Sequence, residues 1–233
     1  MIRSVAVVVP ARDEQDLLGG CLDSLRRAAR HPRVRGIPVD VIVVADACTD
    51  GTAALARQYG ASAVEIAVRN VGRARAAGSA RALDLALGRG LALHEVWLAH
   101  TDADSRVPSG WLAHQLACAA AGWCAVAGTV RVTDWTGHPP ATAVAFHGHY
   151  TAAEDAGAHP HVHGANLGVR ADTYRAVGGF APLPVGEDRA LVAALEAAGV
   201  HVTRTGRHPV TTSARRDARA RGGFGDFLLR LAR

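Results

Sequence analysis

The chain has 233 residues, 49% of them hydrophobic and 5% aromatic, and a formal net charge of +5 that comes wholly from arginine, since it contains no lysine. That length and apolar content suit one domain with a substantial core, and no window approaches the roughly 18 uninterrupted apolar residues of a membrane span. The scarcity of aromatics argues against a nucleic-acid stacking platform, and four cysteines (Cys21, Cys48, Cys118, Cys124) without a C-x-x-C pair argue against a zinc ribbon or a disulfide framework.

Residues 1–5 run directly into a strand with no room for a signal peptide, so a cytoplasmic protein is expected. Val5-Ala6-Val7-Val8-Val9 is β-branched, continuously apolar and closed by Pro10, the pattern of a strand buried on both faces of a parallel sheet. A helix is predicted over 14–30, with Leu17, Leu18, Cys21, Leu22 and Leu25 on one face. A second strand over 39–45 ends in Asp46, and a helix capped by Thr49 or Asp50 runs to Tyr59. A short strand over 63–68 leads through Asn70-Val71-Gly72-Arg73-Ala74-Arg75 into a helix bearing Leu83, Leu85 and Leu87.

Trp97 to Asp104 is the stretch that organises the chain. An apolar strand stops in two carboxylates, Asp102 and Asp104, spaced two apart, and Pro108 then opens a helix over 108–121. Such a pair suits a hard divalent cation, which takes its remaining ligands from water and phosphate oxygens; it equally suits a solvated aspartate turn. Every polar cluster to this point follows a strand's carboxyl end, the edge at which open α/β sheets bind ligands.

Further on, strands are predicted over 123–135 and 162–170, helices over 141–153, 171–177 and 187–198, a strand pair over 200–205 and 208–213, and a short amphipathic helix over 225–233. Its Phe227, Leu228 and Leu231 would face protein, a partner or a membrane surface. His147, His149, His159, His161 and His163 fit either a zinc site or a polar pocket wall.

The motifs Val-Pro-Ala-Arg-Asp-Glu, Ala-Asp-Ala-Cys-Thr-Asp-Gly, Asn-x-Gly-x-Ala-Arg, Thr-Asp-Ala-Asp, His-Gly-Ala-Asn, Gly-Gly-Phe and Gly-Glu-Asp occur in this order over residues 4–216. Together they resemble the family 2 glycosyltransferases. The resemblance implies a GT-A type α/β fold, a mixed, mostly parallel sheet flanked by helices in a single domain. A nucleotide-binding half (1–107) would be followed by a donor/acceptor half (108–213) and a basic tail with a short helix (214–233).

It further implies a metal-dependent inverting transfer of a sugar from a nucleotide-diphosphate sugar to a small-molecule or lipid-linked hydroxyl acceptor. Mn²⁺ or Mg²⁺ would be the cofactor, with a membrane surface or a second copy of the chain as further partners. Pro10, Ala11 and Glu14 correspond to the first nucleotide-binding loop, where the family usually carries Asn-Glu and this chain has Asp13-Glu14. Asp46 corresponds to the aspartate that meets the base, Arg75 to an arginine reaching base or phosphate, and Asp102 to the D-x-D aspartate that contacts the ribose or a metal-bound water, with Ala103 beside it among the nucleotide-binding positions. Asp104 falls at its metal ligand, and His208 at a further metal ligand that many members lack. Gly164, Ala165, Asn166 and Glu187 fall beside the donor sugar or acceptor, Asp188 at the general base, and Arg215 at a pyrophosphate contact. Two other readings remain open at this stage: a sugar-phosphate nucleotidyltransferase, although the glycine- and arginine-rich loop expected after the first strand is absent, and a non-catalytic nucleotide-binding module.

Overall fold

The computed structural model describes residues 1–154, 159–217, 219 and 222–231. Seven strands form one sheet in the order β3-β2-β1-β4-β6-β5-β7. They are β1 (Ser4–Ala11), β2 (Val39–Asp46), β3 (Ser62–Ile66), β4 (Val96–His100), β5 (Ala125–Arg131), β6 (Leu167–Arg170) and β7 (Val202–Thr211). β1, β2, β3 and β4 are mutually parallel, as are β5 and β7, while β6 runs antiparallel to both β4 and β5. The mixed, mostly parallel α/β sheet expected from the sequence is what the chain forms.

Successive side chains of a strand point to opposite faces, so β1 feeds two cores. Val5, Val7 and Val9 pack with Leu18, Cys21, Leu22 and Leu25 of α1 (Gln15–Ala29). On the other face Ala6 lies with Ile42, Val44 and Leu98 against α3 (Val71–Gly88). Leu17 is 36% exposed rather than facing the core.

The helix α3 departs further from the pattern expected of it. The buried stripe is Ala74, Gly78, Ala82 and Ala86, and Leu87 is 55% exposed. Small residues at every fourth position let the helix lie almost on the sheet: a Cβ on Gly78 would sit 2.4 Å from Val8 Cγ1 and 2.9 Å from Val44 Cγ2. This close approach carries Arg75, one turn earlier, to the strand ends.

The remaining helices are α2 (Thr52–Gln58), α4 (Trp111–Ala120), α5 (Pro140–Glu154), α6 (Ala171–Ala176), α7 (Glu187–Ala197) and α8 (Phe224–Leu231). Two predicted strands differ. The 162–170 segment is extended only from Leu167, because Gly164–Asn166 forms a 3₁₀ turn. The strand pair over 200–213 is a single bent strand, β7, whose register against β5 breaks between Gly128 and Val130. The irregularity falls at His208, whose φ of +58° is unusual for a residue with a side chain. The terminal helix α8 faces the protein itself, with Leu228 fully buried and Phe224 in edge contact with Phe146 of α5 at 6.0 Å. Among the described residues no helix is long and apolar enough to cross a membrane.

Candidate active site

The loops after β1, β2, β3 and β4 all open on the carboxyl edge of the sheet. Among the described residues, three of the four non-glycine residues with positive φ lie on them: Asp13 (+51°), Ala47 (+53°) and Arg69 (+49°). Backbone strain of this kind collects where surrounding structure over-determines a functional loop. Here it borders a cleft of about 960 Å³, ample for a nucleotide-sized ligand.

Of the residues singled out from the sequence, Pro10, Ala11, Glu14, Asp46, Arg75, Asp102, Ala103, Asp104, Gly164, Ala165, Glu187, Asp188 and Arg215 line this one cleft. Asn166 and His208 do not line it. Asn166 is 3% exposed and turned into the scaffold: its Oδ1 accepts from Trp111 Nε1 at 2.7 Å, and its Nδ2 donates to the Thr129 and His208 carbonyls at 2.9 and 3.3 Å. It stitches β5, β7 and α4 together instead of meeting a ligand. The His208 ring packs against His114 at 5.2 Å between centroids and over Gly110, because the bend in β7 directs it to α4; the structure does not bring it to the carboxylates as a metal ligand.

Asp46 at the end of β2 is 4% exposed. Its Oδ1 accepts the Val68 and Arg69 N–H groups, both at 2.8 Å, and its Oδ2 accepts Asn70 N–H at 2.6 Å. Three of roughly four acceptor positions on the carboxylate are thus spent holding the loop before α3, which Asn70 then caps by accepting Arg73 N–H at 2.9 Å.

At the floor of the cleft, Arg75 is 2% exposed. Its Nε donates to Glu187 Oε1 at 3.0 Å and its Nη2 to Asp102 Oδ1 at 2.5 Å. Burial alone would lower the guanidinium pKa, but the charges of Asp102 and Glu187 outweigh it and raise it further. Its Nη1 is buried with no hydrogen-bond partner. Glu187 is itself held above the ordinary carboxylate range by burial, against the pull of Arg75. The sequence suggested a nucleotide contact for Arg75; in the fold it ties the D-x-D loop after β4 to the first turn of α7.

A second guanidinium sits opposite. Arg215, in the segment leaving β7, donates from Nη2 to Glu14 Oε1 at 2.5 Å and to Asp104 Oδ2 at 2.7 Å, and from Nε to Asp104 Oδ2 at 3.1 Å. Burial drives the Asp104 carboxyl upward, Arg215 opposes it, and the neighbouring Asp102 charge adds to the rise. Burial likewise pushes Glu14 up to about 7 despite Arg215. The arginine-rich segment is anchored rather than loose where the structure describes it: Ser105 Oγ and Thr212 Oγ1 are 2.9 Å apart, Thr212 N–H donates to Arg131 O at 2.9 Å, and His138 Nε2 lies 2.6 Å from Ala214 O. Residues 218, 220 and 221 of the basic tail lie outside the described residues.

Two carboxylates spaced two positions apart, one of them disfavoured by burial and by its neighbour, form a hard oxygen donor set that suits Mn²⁺ or Mg²⁺. In this structure Arg215 supplies the positive charge that Asp104 requires. Among the described residues, Asp13, Cys48 and Asp50 also bring three ligand atoms within 4.8 Å of one another. Their oxygens are already engaged by Thr49, Thr52 and Gln15.

Asp188 lies in the first turn of α7 behind Gly186, which is left-handed at φ +77°. It does not cap the helix. Its Oδ2 accepts Gly164 N–H at 2.8 Å and its Oδ1 accepts Arg189 N–H at 2.7 Å, which aims the carboxylate across the cleft. Gly164 is required by its surroundings, since a Cβ there would lie 2.3 Å from Arg75 Nη2.

Of the histidines expected as a zinc site or a pocket wall, His149, His161 and His163 line the cleft, while His147 packs on Trp135 and Phe146. His161 stacks on Tyr150 at 4.2 Å between centroids with planes 13° apart, and the Tyr150 hydroxyl lies 2.5 Å from His163 Nε2. Burial, with neighbouring imidazoles, takes His161 down to about 4 and His163 to about 3. Sequence reasoning missed Tyr150, Phe224 and Phe227 as lining residues; the Phe224/Phe227 spacing on the terminal helix was their only signal.

A family model described as "Glycosyl transferase family 2" matches residues 6–177. A 4,4'-diaponeurosporenoate glycosyltransferase of Staphylococcus aureus (strain bovine RF122 / ET3-1) is 39% identical over 64 residues, which are 28% of this chain and 15% of that protein. The match therefore spans under a sixth of that curated relative. Among solved structures, a mannosyltransferase from Pyrobaculum calidifontis in complex with GDP-Man and Mn²⁺ aligns with a TM-score of 0.66 at 21% identity, covering 92% of this chain and 58% of that one. Residues 1–349 of S. aureus TarS in complex with UDP-GlcNAc give 0.64 at 16% identity, covering 98% and 65%. A glucosyl-3-phosphoglycerate synthase from Mycobacterium tuberculosis with Mn²⁺, UDP-Glc and phosphoglyceric acid gives 0.60 at 18% identity, covering 91% and 72%. At these identities the structures bear on the fold.

Proposed function

Because the chain belongs to glycosyl transferase family 2, we propose that it moves a sugar from a nucleotide-diphosphate sugar onto a hydroxyl acceptor with inversion at the anomeric carbon. The observation that carries this reading is the convergence of Asp104 and Asp188 on one cleft, with Arg75 spanning the loops that bear them. Asp102 and Asp104 are the residues that would hold Mn²⁺ or Mg²⁺, which when bound supplies Lewis-acid stabilisation of the leaving diphosphate. Solved structures of this fold carry Mn²⁺ with GDP-Man or UDP-Glc.

On the donor side, the acceptor position left on Asp46 Oδ2 takes an imide or amide N–H of the base, while Pro10 and Ala11 form the wall beneath it. Arg215 lies within reach of the diphosphate and can exchange its carboxylate partners for phosphate oxygens, which match its fork equally well. On the acceptor side, Asp188 is oriented by two backbone amides and takes the proton of the incoming hydroxyl as that oxygen attacks. A single displacement then suffices, with no covalent sugar on the protein.

The experiment is donor turnover. Nucleotide sugars are screened for slow hydrolysis in Mn²⁺, which requires no knowledge of the acceptor, and the active donor is then tested with Asp188→Asn. The variant should retain nucleoside diphosphate affinity and lose transfer by roughly a hundredfold or more. Unchanged turnover removes Asp188 from this role.

A further inference from the structure

The part of the cleft beside Asp188 differs in character from the rest. Whereas the strand-end loops contribute carboxylates, guanidinium groups and backbone amides, this wall is built of Tyr150, His161, His163, Phe224 and Phe227, with the exposed imidazole of His149 beside Phe227. Tyr150 and His161 stack on one another at 4.2 Å, His163 meets Phe224 edge-on at 5.9 Å, and Phe224 and Phe227 lie 6.2 Å apart, both partly exposed. The wall is continuous with the base, because His163 precedes Gly164, whose N–H donates to Asp188.

Aromatic faces stack equally well on a sugar ring or on a flat apolar body, so the polar atoms decide between them. A polyhydroxylated acceptor needs a partner for each hydroxyl that it buries, since an unpaired one costs about 1–3 kcal/mol. Here the Tyr150 hydroxyl is engaged by His163, and the Gly164 N–H by Asp188. Burial keeps the imidazoles of His161 and His163 neutral at ordinary pH, so neither adds charge. Of the wall's buried side-chain atoms, only His161 Nε2 lacks a partner. Arg189 and Arg230 reach the cleft from exposed positions.

We infer that this wall is the acceptor seat and that it takes a single hydroxyl carried on a flat apolar body, a phenol-like alcohol, in preference to a sugar or other polyol. The inference rests on the glycosyltransferase reading for the direction of attack, since Asp188 is what makes this side the acceptor's. The acceptor lies against the partly exposed Phe224 and Phe227 rings, which the Tyr150–His161 stack backs, with its hydroxyl at the Asp188 end.

The test uses 2-naphthol as the probe, its fluorescence followed during titration with the whole chain, with and without Mn²⁺ and nucleoside diphosphate, and methyl glucoside as competitor. Saturable naphthol binding is expected, weakened roughly tenfold by Phe227→Ala, largely restored in Phe227→Tyr, and not displaced by methyl glucoside. Nucleoside diphosphate affinity, measured by calorimetry, should be the same in all three proteins and reports that each is folded. Three results overturn the inference: no naphthol binding by protein that still binds nucleotide, indifference to Phe227→Ala, or displacement by methyl glucoside at comparable concentration. Naphthol binding with the expected variant pattern in a protein that neither binds nucleotide nor turns over a donor supports the wall's chemistry and removes the transferase reading instead.

Discussion

Replacing Arg215 with alanine should make the empty protein bind Mn²⁺ more tightly and nucleotide more weakly. In the structure this guanidinium gives Asp104 Oδ2 two hydrogen bonds and Glu14 a third, and its side chain is 22% exposed. Breaking a fully buried ion pair costs about 3–5 kcal/mol because it strands a charge, and partial exposure reduces that to roughly 1–3 kcal/mol. The same energy is what a cation must overcome to take Asp104 from Arg215, so its removal should tighten Mn²⁺ binding by about ten- to a hundredfold. Calorimetric titration of Mn²⁺ in the absence of nucleotide measures this directly. In the unmodified protein a nucleoside diphosphate should draw Arg215 away from Asp104 and so raise Mn²⁺ affinity, and linkage requires the reverse effect to be equal; the variant should lose most of this coupling. Equal or weaker Mn²⁺ binding by Arg215→Ala, with coupling intact, would refute the reasoning.

Arg75→Met should destabilise the fold by about 3–5 kcal/mol, since it leaves buried Glu187 without its cation; urea unfolding measures this, and adding Glu187→Gln to the same chain should recover much of the loss. Gly164→Ala should lower donor turnover with a smaller cost of roughly 1–3 kcal/mol in stability, because its methyl group would meet Arg75 Nη2 at 2.3 Å; turnover equal to the parent would show that the contact relaxes harmlessly. Acid should weaken the protein through His161 and His163. In the folded chain they take up protons only near pH 4 and 3 against an ordinary 6.5, so below about 6.5 the unfolded chain binds more protons. Their contribution is complete above that pH and is lost progressively as pH falls toward 3. Urea midpoints compared at pH 7.5 and 5 should fall less for His163→Gln than for the parent, and parallel falls would argue against it.

Much of the donor half was legible because its signals are local. Val5–Val9 and Val39–Ala45 are apolar without interruption, and a strand that ends in Asp46 or in Asp102-Ala103-Asp104 announces both its buried body and its polar edge. What the sequence hid depends on distant partners. The inward turn of Asn166 is dictated by Trp111 Nε1 and the Thr129 carbonyl, neither visible from its neighbours. His208 follows a bend forced by the register break opposite Gly128 and Val130. The buried stripe of α3 is alanine and glycine, chosen by the sheet for their size, which hydrophobicity alone does not announce. Arg75 is legible as a functional arginine but not as a brace, since Glu187 lies over a hundred positions away. A four-residue strand such as β6 carries no mark of its direction.

That direction has a consequence for how the catalytic edge is populated. Parallel strands deliver only the loops that follow them, but a reversed strand presents the loop that precedes it, and this is how Gly164 and Ala165 arrive beside Asp188. The excursion between β5 and β6 is therefore joined to the sheet at both ends by strand pairing. On the proposed reading, exchange of residues within it should retune which alcohol is chosen and leave the nucleotide side undisturbed, so that one substrate could be inherited apart from the other.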